Sequence, residues 1–177
     1  AEYQTPKGRF SRETFVSAPD QVIVWRMEGA KGTIGFDLAW RGPQKTQHTS
    51  PNYDGAATGL VSPEAVEWLM SEAVGKPRAD TVIVADGADA ILITGRNEGG
   101  SDMPSGLTYA LRIQVVSDGV VTTGPDGIHV RDAQAVTLLI SAATSYVNYH
   151  DVSGDPVARV RHDSTAAAKK SYAALMR

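Results

Sequence analysis

Two carboxylate pairs, Glu64 with Glu67 and Asp86 with Asp89, are the first residues whose spacing invites acid–base chemistry. Hydrolysis by paired carboxylates needs an acid to protonate the leaving oxygen and a base to activate water, the two facing each other across a cleft. Pairs three residues apart face the same way. Glu64 and Glu67 therefore read as a solvated helix surface, and Asp86 and Asp89 as turn formers. His150, Asp151, His162 and Asp163 bring two imidazoles and two carboxylates, but their long spacing and the lack of a third imidazole nearby favour surface and capping roles over a metal site. Ser105 forms no Gly-x-Ser-x-Gly elbow, and no Gly-x-Gly-x-x-Gly or Walker pattern is present to cradle phosphate. No catalytic residue, metal ligand or cofactor is assigned.

One constellation fits ligand contact. Trp40, followed by His48, Asn52 and Tyr53 on a polar stretch, offers a flat apolar face with polar partners, as a sugar requires. Against that, Trp40 continues the alternation of Ile34, Phe36 and Leu38, which places it in a core, and Tyr53 reads as a loop residue. Trp25 and Trp68 read as core.

The elements that must position these residues are mostly strands. Residues 10–17 and the run Val22-Ile23-Val24-Trp25 flank a Pro19-Asp20 turn as a β-hairpin. Ile34 to Trp40 alternates with the period of a strand buried on one face. Residues 41–59 lack periodicity and read as a long loop. Ser62 and Pro63 start a short helix carrying Val66, Leu69, Met70 and Ala73, stopped by Gly75 and Pro77. Asp-Gly pairs at 54–55, 86–87, 118–119 and 126–127 punctuate the chain, the last three between β-rich runs where they favour hairpin turns. Tyr109, Leu111, Ile113 and Val115 alternate with Ala110, Arg112 and Gln114, whereas residues 136–140 look buried on both faces. Asp155 and Pro156 start a C-terminal helix with Val157, Val160, Ala167, Ala168, Tyr172 and Leu175 at roughly helical spacing, and its apolar face calls for a partner that lies beyond residue 177. The sum is a mainly β chain, an antiparallel β-sandwich of supersandwich type with one short inserted helix and a C-terminal helix.

Composition narrows the function classes. The 177 residues are 42% hydrophobic and 21% charged, ordinary for one globular core. Twenty acidic against 17 basic residues, with no like-charge block, argue against nucleic acid as a partner. Without cysteine there is no disulfide or thiol chemistry, and no apolar run approaches a membrane span. The polar opening reads as a start inside a longer polypeptide.

Three patterns carry a resemblance. Phe10, Arg12, Glu13, Phe15, Ser17 and Pro19-Asp20-Gln21 form the first; Ala142-Ala143-Thr144-Ser145-Tyr146-Val147-Asn148-Tyr149 with Asp151 to Pro156 the second; Lys170-Ser171-Tyr172-Ala173-Ala174-Leu175 the third. In this order they resemble the amino-terminal domain of glycoside hydrolase family 95, over residues 9–41 and about 105–176; residues 42–104 match poorly. The resemblance implies a bacterial parent enzyme, secreted or periplasmic, that hydrolyses α-L-fucosides or α-L-galactosides with inversion. Its catalytic groups sit in an (α/α)6 toroid, and no position here matches their motifs. On this reading residues 1–154 are an incomplete, non-catalytic sandwich, and residues 155–177 an exit helix leading to the absent catalytic domain, its principal partner. The alternative is an independent carbohydrate-binding module, and a third possibility is a small complete enzyme.

Overall fold

The computed structural model describes residues 1–6, 8–40, 81–97 and 106–177. Ala1–Ala39 with Thr81–Arg177 form one compact unit and Trp40–Asp80 a second, of which Trp40 alone is among the described residues. The expected loop at 41–59 and the expected inserted helix lie outside the described residues.

The described residues of the first unit form ten strands: β1 (Glu2–Thr5), β2 (Gly8–Ser17), β3 (Val22–Glu28), β4 (Ile34–Leu38), β5 (Val82–Ala85), β6 (Ala90–Arg96), β7 (Thr108–Ser117), β8 (Val120–Gly124), β9 (Gly127–Ala133) and β10 (Ala135–Thr144). After them come two helices, α1 (Pro156–Ala168) and α2 (Tyr172–Leu175). The strands pair antiparallel in a seven-stranded sheet, β1-β2-β3-β10-β7-β6-β5, and a three-stranded sheet, β4-β9-β8. This is the expected antiparallel β-sandwich. Among the described residues no helix is long and apolar enough to cross a membrane.

The β2–β3 hairpin forms as its sequence requires. Ser17 Oγ donates to Asp20 at 2.8 Å inside the turn, and Phe15 stands opposite Val24. At the centre of the large sheet, β10 buries both faces, as its unbroken apolar run demands. Leu138 shares a face with Trp25, its register partner, and Trp25 meets Phe36 of the small sheet edge-on at 5.9 Å. On the other face, Leu139 packs with Val22, Val24, Ala167 and Leu175, while Leu92 and Ala110 pack with Val160. The first unit therefore has three layers: helix, seven-stranded sheet, three-stranded sheet. The apolar stripe of the C-terminal segment finds its partner inside the chain, on β3, β10, β7 and β6, rather than beyond residue 177.

Four further expectations change. The strand starting at Ile34 ends at Leu38, short of Trp40. Arg112 and Gln114 of β7 are buried, not solvated, because α1 covers their face. The C-terminal helix is two helices. Ser171 is extended at φ −68° and ψ 154°, and its side chain accepts from Ala174 N, so it caps a new helix instead of continuing the first. Lastly, Asp118-Gly119 is a crossing between sheets and not a hairpin turn, since β7 pairs with β6 and β10 and β8 pairs with β9. Asp118 Oδ1 accepts from the backbone N–H of Gln134 and Ala135, tying the crossing to the start of β10. A side chain at Gly119 would lie 2.4 Å from Arg131 O, so only glycine passes there.

Candidate functional site

Of the four sugar-contact candidates, Trp40 alone is described. It is half-buried, and its Nε1 is buried without a hydrogen-bond partner among the described residues. His48, Asn52 and Tyr53 lie outside the described residues, as do Glu64, Glu67 and Ser105.

Asp86 and Asp89 occupy the β5–β6 turn, and both are consumed by structure. Asp86 Oδ2 accepts from Arg112 Nε at 2.7 Å, and Asp86 Oδ1 from Arg161 of α1 at 2.6 Å. The Arg161 contact first, then Arg112, holds the Asp86 carboxyl below its ordinary value against the opposing effect of burial. A carboxyl so held is no general acid at neutral pH. Asp89 accepts from Gln114 Nε2 at 3.0 Å. Arg112 also donates to Gln114 Oε1 and Ser164 Oγ, so one buried guanidinium stitches turn, sheet and helix together.

His150 and His162 do not converge. The His150 backbone N–H donates to Asn148 Oδ1, while the His162 ring contacts the adjacent Asp163. Among the described residues, no three His, Cys, Asp or Glu side chains are arranged to hold a metal.

The small sheet holds an imidazole that the sequence does not single out. His129 of β9 places Nδ1 at 2.7 Å from Asp37 of β4 and Nε2 at 3.0 Å from Asp126, while Arg131 donates to the same Asp37 oxygen at 2.6 Å. The hydrogen bond to Asp37, then that to Asp126, raises the His129 pKa. With both nitrogens engaged by carboxylates the ring serves as a cross-link, not as a base. Asp37 and His129 are cross-strand partners, a relation visible only once β4 and β9 are known to pair.

Where β1 and β2 meet β4, a groove of about 400 Å³ opens. Tyr3 and Phe10 stack there at 5.5 Å, Arg12 lies over the Tyr3 ring at 4.8 Å, and Met27 and Phe36 complete the apolar lining.

Among the described residues, the most exposed large apolar side chain is in loop 145–154, between β10 and α1. Tyr149 is 83% exposed, Tyr146 50%, Val147 47% and Val152 44%. The loop beneath them is closely tied. Val147 and Asn148 donate to Asp151 O, Asp151 N returns a bond to Asn148 O, and Gly154 N reaches Ser145 O at 2.9 Å. Arg159 of α1 donates to both Thr144 O and Tyr146 O at 3.0 Å. A Cβ at Gly154 would stand 2.8 Å from the Arg159 guanidinium and 3.0 Å from Ser145 O, so a larger residue there would push the guanidinium aside.

Residues 1–149 match the family model described as glycosyl hydrolase family 65, N-terminal domain. The chain belongs to that family. A comparison with curated proteins gave no match. As a family 65 N-terminal domain, the chain is a non-catalytic part of a glycosidase, which agrees with carboxylates spent on ion pairs and turns rather than facing across a cleft. The match is to family 65 and does not support family 95, which the sequence patterns resemble. The match ends at Tyr149, inside the exposed loop.

Proposed function

We propose that this chain is the non-catalytic N-terminal β-sandwich of an inverting glycoside hydrolase resembling family 95, acting on α-L-fucosides or α-L-galactosides. The observation that carries the reading is the match of residues 1–149 to a glycosyl hydrolase N-terminal domain. The substrate rests on the three sequence patterns ending in Lys170 to Leu175. Residues 1–154 supply the sandwich, and residues 155–177 lead the chain toward the catalytic domain, against which the sandwich packs. The enzyme acts outside the cytoplasm, secreted or periplasmic. The acid and base reside in the catalytic domain, with their carboxyl groups roughly 6.5 to 9.5 Å apart around the attacking water.

The test is to express the whole encoded polypeptide, measure its intact mass, and assay an α-L-fucosyl oligosaccharide while following the anomer of the released sugar by NMR. A polypeptide several times longer than 177 residues that releases β-L-fucose first supports the reading. Turnover by the 177-residue chain alone, or an encoded polypeptide of only this length, overturns it.

A second reading, a carbohydrate-binding module, is favoured by the groove with its stacked Tyr3 and Phe10 and the Arg12 guanidinium beside them. Saturable NMR shifts of residues lining the groove on addition of a fucosylated glycan to the isolated chain support it; no shift at millimolar sugar eliminates it.

A further inference from the structure

The geometry points to loop 145–154 as the surface by which this domain seats on the catalytic domain of its own glycosidase, Tyr146, Val147, Tyr149 and Val152 being the contact residues. This rests on the proposed function for the existence of that partner and adds where the two meet. Exposed apolar side chains are ordinary when scattered, but here four fall within seven residues of one loop. Tyrosine is favoured at the centres of protein interfaces, because it brings large rigid area with few rotatable bonds.

Two properties separate a docking surface from a merely untidy loop. First, the backbone is already fixed: the Asn148–Asp151 bridge, the Gly154 to Ser145 bond and the Arg159 clamp hold it before any partner arrives, so little ordering entropy is lost on contact. Second, two of its side-chain acceptors are satisfied internally. Asn148 Oδ1 accepts from His150 N and Asp151 Oδ1 from Ser153 N, so covering the loop leaves these acceptors paired.

The same facts choose a protein over a glycan as occupant. A sugar site needs side-chain donors and acceptors free to meet hydroxyl groups. Here one acceptor oxygen each of Asn148 and Asp151 is already engaged by a backbone N–H of the loop, and the exposed residues include two valines, which offer a sugar no hydrogen bond. The place of the loop also favours the catalytic domain. The family match ends at Tyr149, so the four residues straddle the carboxyl-terminal end of the matched stretch, where the chain leaves the sandwich for the helices. The apolar stripe of α1 and α2 is spent on the domain's own sheet through Val160, Ala167 and Leu175, leaving the loop rather than the helices to make contact.

The chain has no cysteine, so Tyr149→Cys introduces a single thiol into it, with Val120→Cys on the small sheet as an exposed control. Maleimide labelling of each variant is read by peptide mass spectrometry in the 177-residue chain and in the intact glycosidase. The expected result is labelling at position 149 slower by about tenfold or more in the intact enzyme, with the rate at position 120 unchanged. Equal rates at position 149 in an intact enzyme that still hydrolyses its substrate overturn the inference and leave the proposed function standing. An encoded polypeptide of only 177 residues overturns both. Labelling of the isolated chain that slows with its own concentration identifies a second copy, and labelling slowed by added fucosylated oligosaccharide identifies a glycan; either outcome overturns the assignment. As an independent readout, Tyr149→Ser lowers the thermal midpoint of the intact enzyme and leaves that of the isolated chain unchanged; a fall in both marks the residue as structural and overturns the assignment.

Discussion

Arg112 and Asp86 show how a single polar network can organise an apolar interface. Removing Asp86 leaves the buried Arg112 guanidinium without its anion, whereas removing Arg161 takes away a half-exposed partner and leaves Arg112 paired. Asp86→Ala is therefore expected to cost about 3 kcal/mol, and Arg161→Ala about 0.5 kcal/mol, both read from urea denaturation. The Asp86 pKa is lowered, so its contribution is fully present above the ordinary value of 3.8 and is lost as pH falls through the lower folded value. Acid unfolding of the Asp86→Ala variant should therefore be less steep in that window. Two buried serines on the same face make a sharper contrast. Ser141 Oγ has no hydrogen-bond partner among the described residues, whereas Ser164 Oγ accepts from Arg112 and donates to Val160 O. Ser141→Ala should be neutral or stabilising by up to about 1 kcal/mol, and Ser164→Ala destabilising by about 1 to 2 kcal/mol. Equal losses in the two melts would refute the distinction. None of this was legible in the sequence. Arg112 and Gln114 hold the polar positions of an alternating strand, and what buries them is a helix some fifty residues away.

At the scale of elements, local signals suffice where one pattern has one meaning. Residues 136–140 look buried on both faces and are; Asp155 and Pro156 start a helix, with Asp155 Oδ1 accepting from Ala158 N at 2.9 Å. They mislead where one chemistry serves two topologies. Asp126-Gly127 closes the β8–β9 hairpin, with Gly127 at φ +132°, whereas Asp118-Gly119 carries the chain from one sheet to the other. Only the partners of the flanking strands distinguish them. Loop 145–154 is visible in the sequence as a pattern but not as a surface, because tyrosine and valine look the same there whether buried or presented. The β4–β9 pairing carries its own test through His129, which faces Asp37, Asp126 and Arg131. Its pKa is raised, so the stability from these bonds is full below the ordinary 6.5 and lost as pH rises through the higher folded value. His129→Gln should flatten the melting temperature against pH across and just above that value, while leaving the carboxylate-driven loss in acid. An unchanged profile would show that the imidazole does not couple to folding.

For the whole molecule, the question is whether α1 and α2 belong to the domain or only leave it. A linker would leave the sheet it crosses able to fold alone; these helices instead close one face of the seven-stranded sheet. Leu139, Val22 and Val24 at its centre, and Leu92 with Ala110 toward β6, are buried by Val160, Ala167 and Leu175. Each buried aliphatic side chain is worth about 1.5 to 3 kcal/mol, and a domain holds about 5 to 15 kcal/mol in all. Uncovering even the four larger side chains, Val22, Val24, Leu92 and Leu139, spends most or all of that margin, before counting Arg112 stripped of Ser164 and Asp86 stripped of Arg161. A chain ending at residue 154 should accordingly lose cooperative unfolding and bind the dye ANS, although every strand of the sandwich is retained. Adding residues 155–177 back as a separate peptide should restore a sharp melt if the helices act as a cover. If instead the shortened chain melts cooperatively with no dye binding, the sandwich is self-sufficient and the helical layer is only the route by which the chain leaves it.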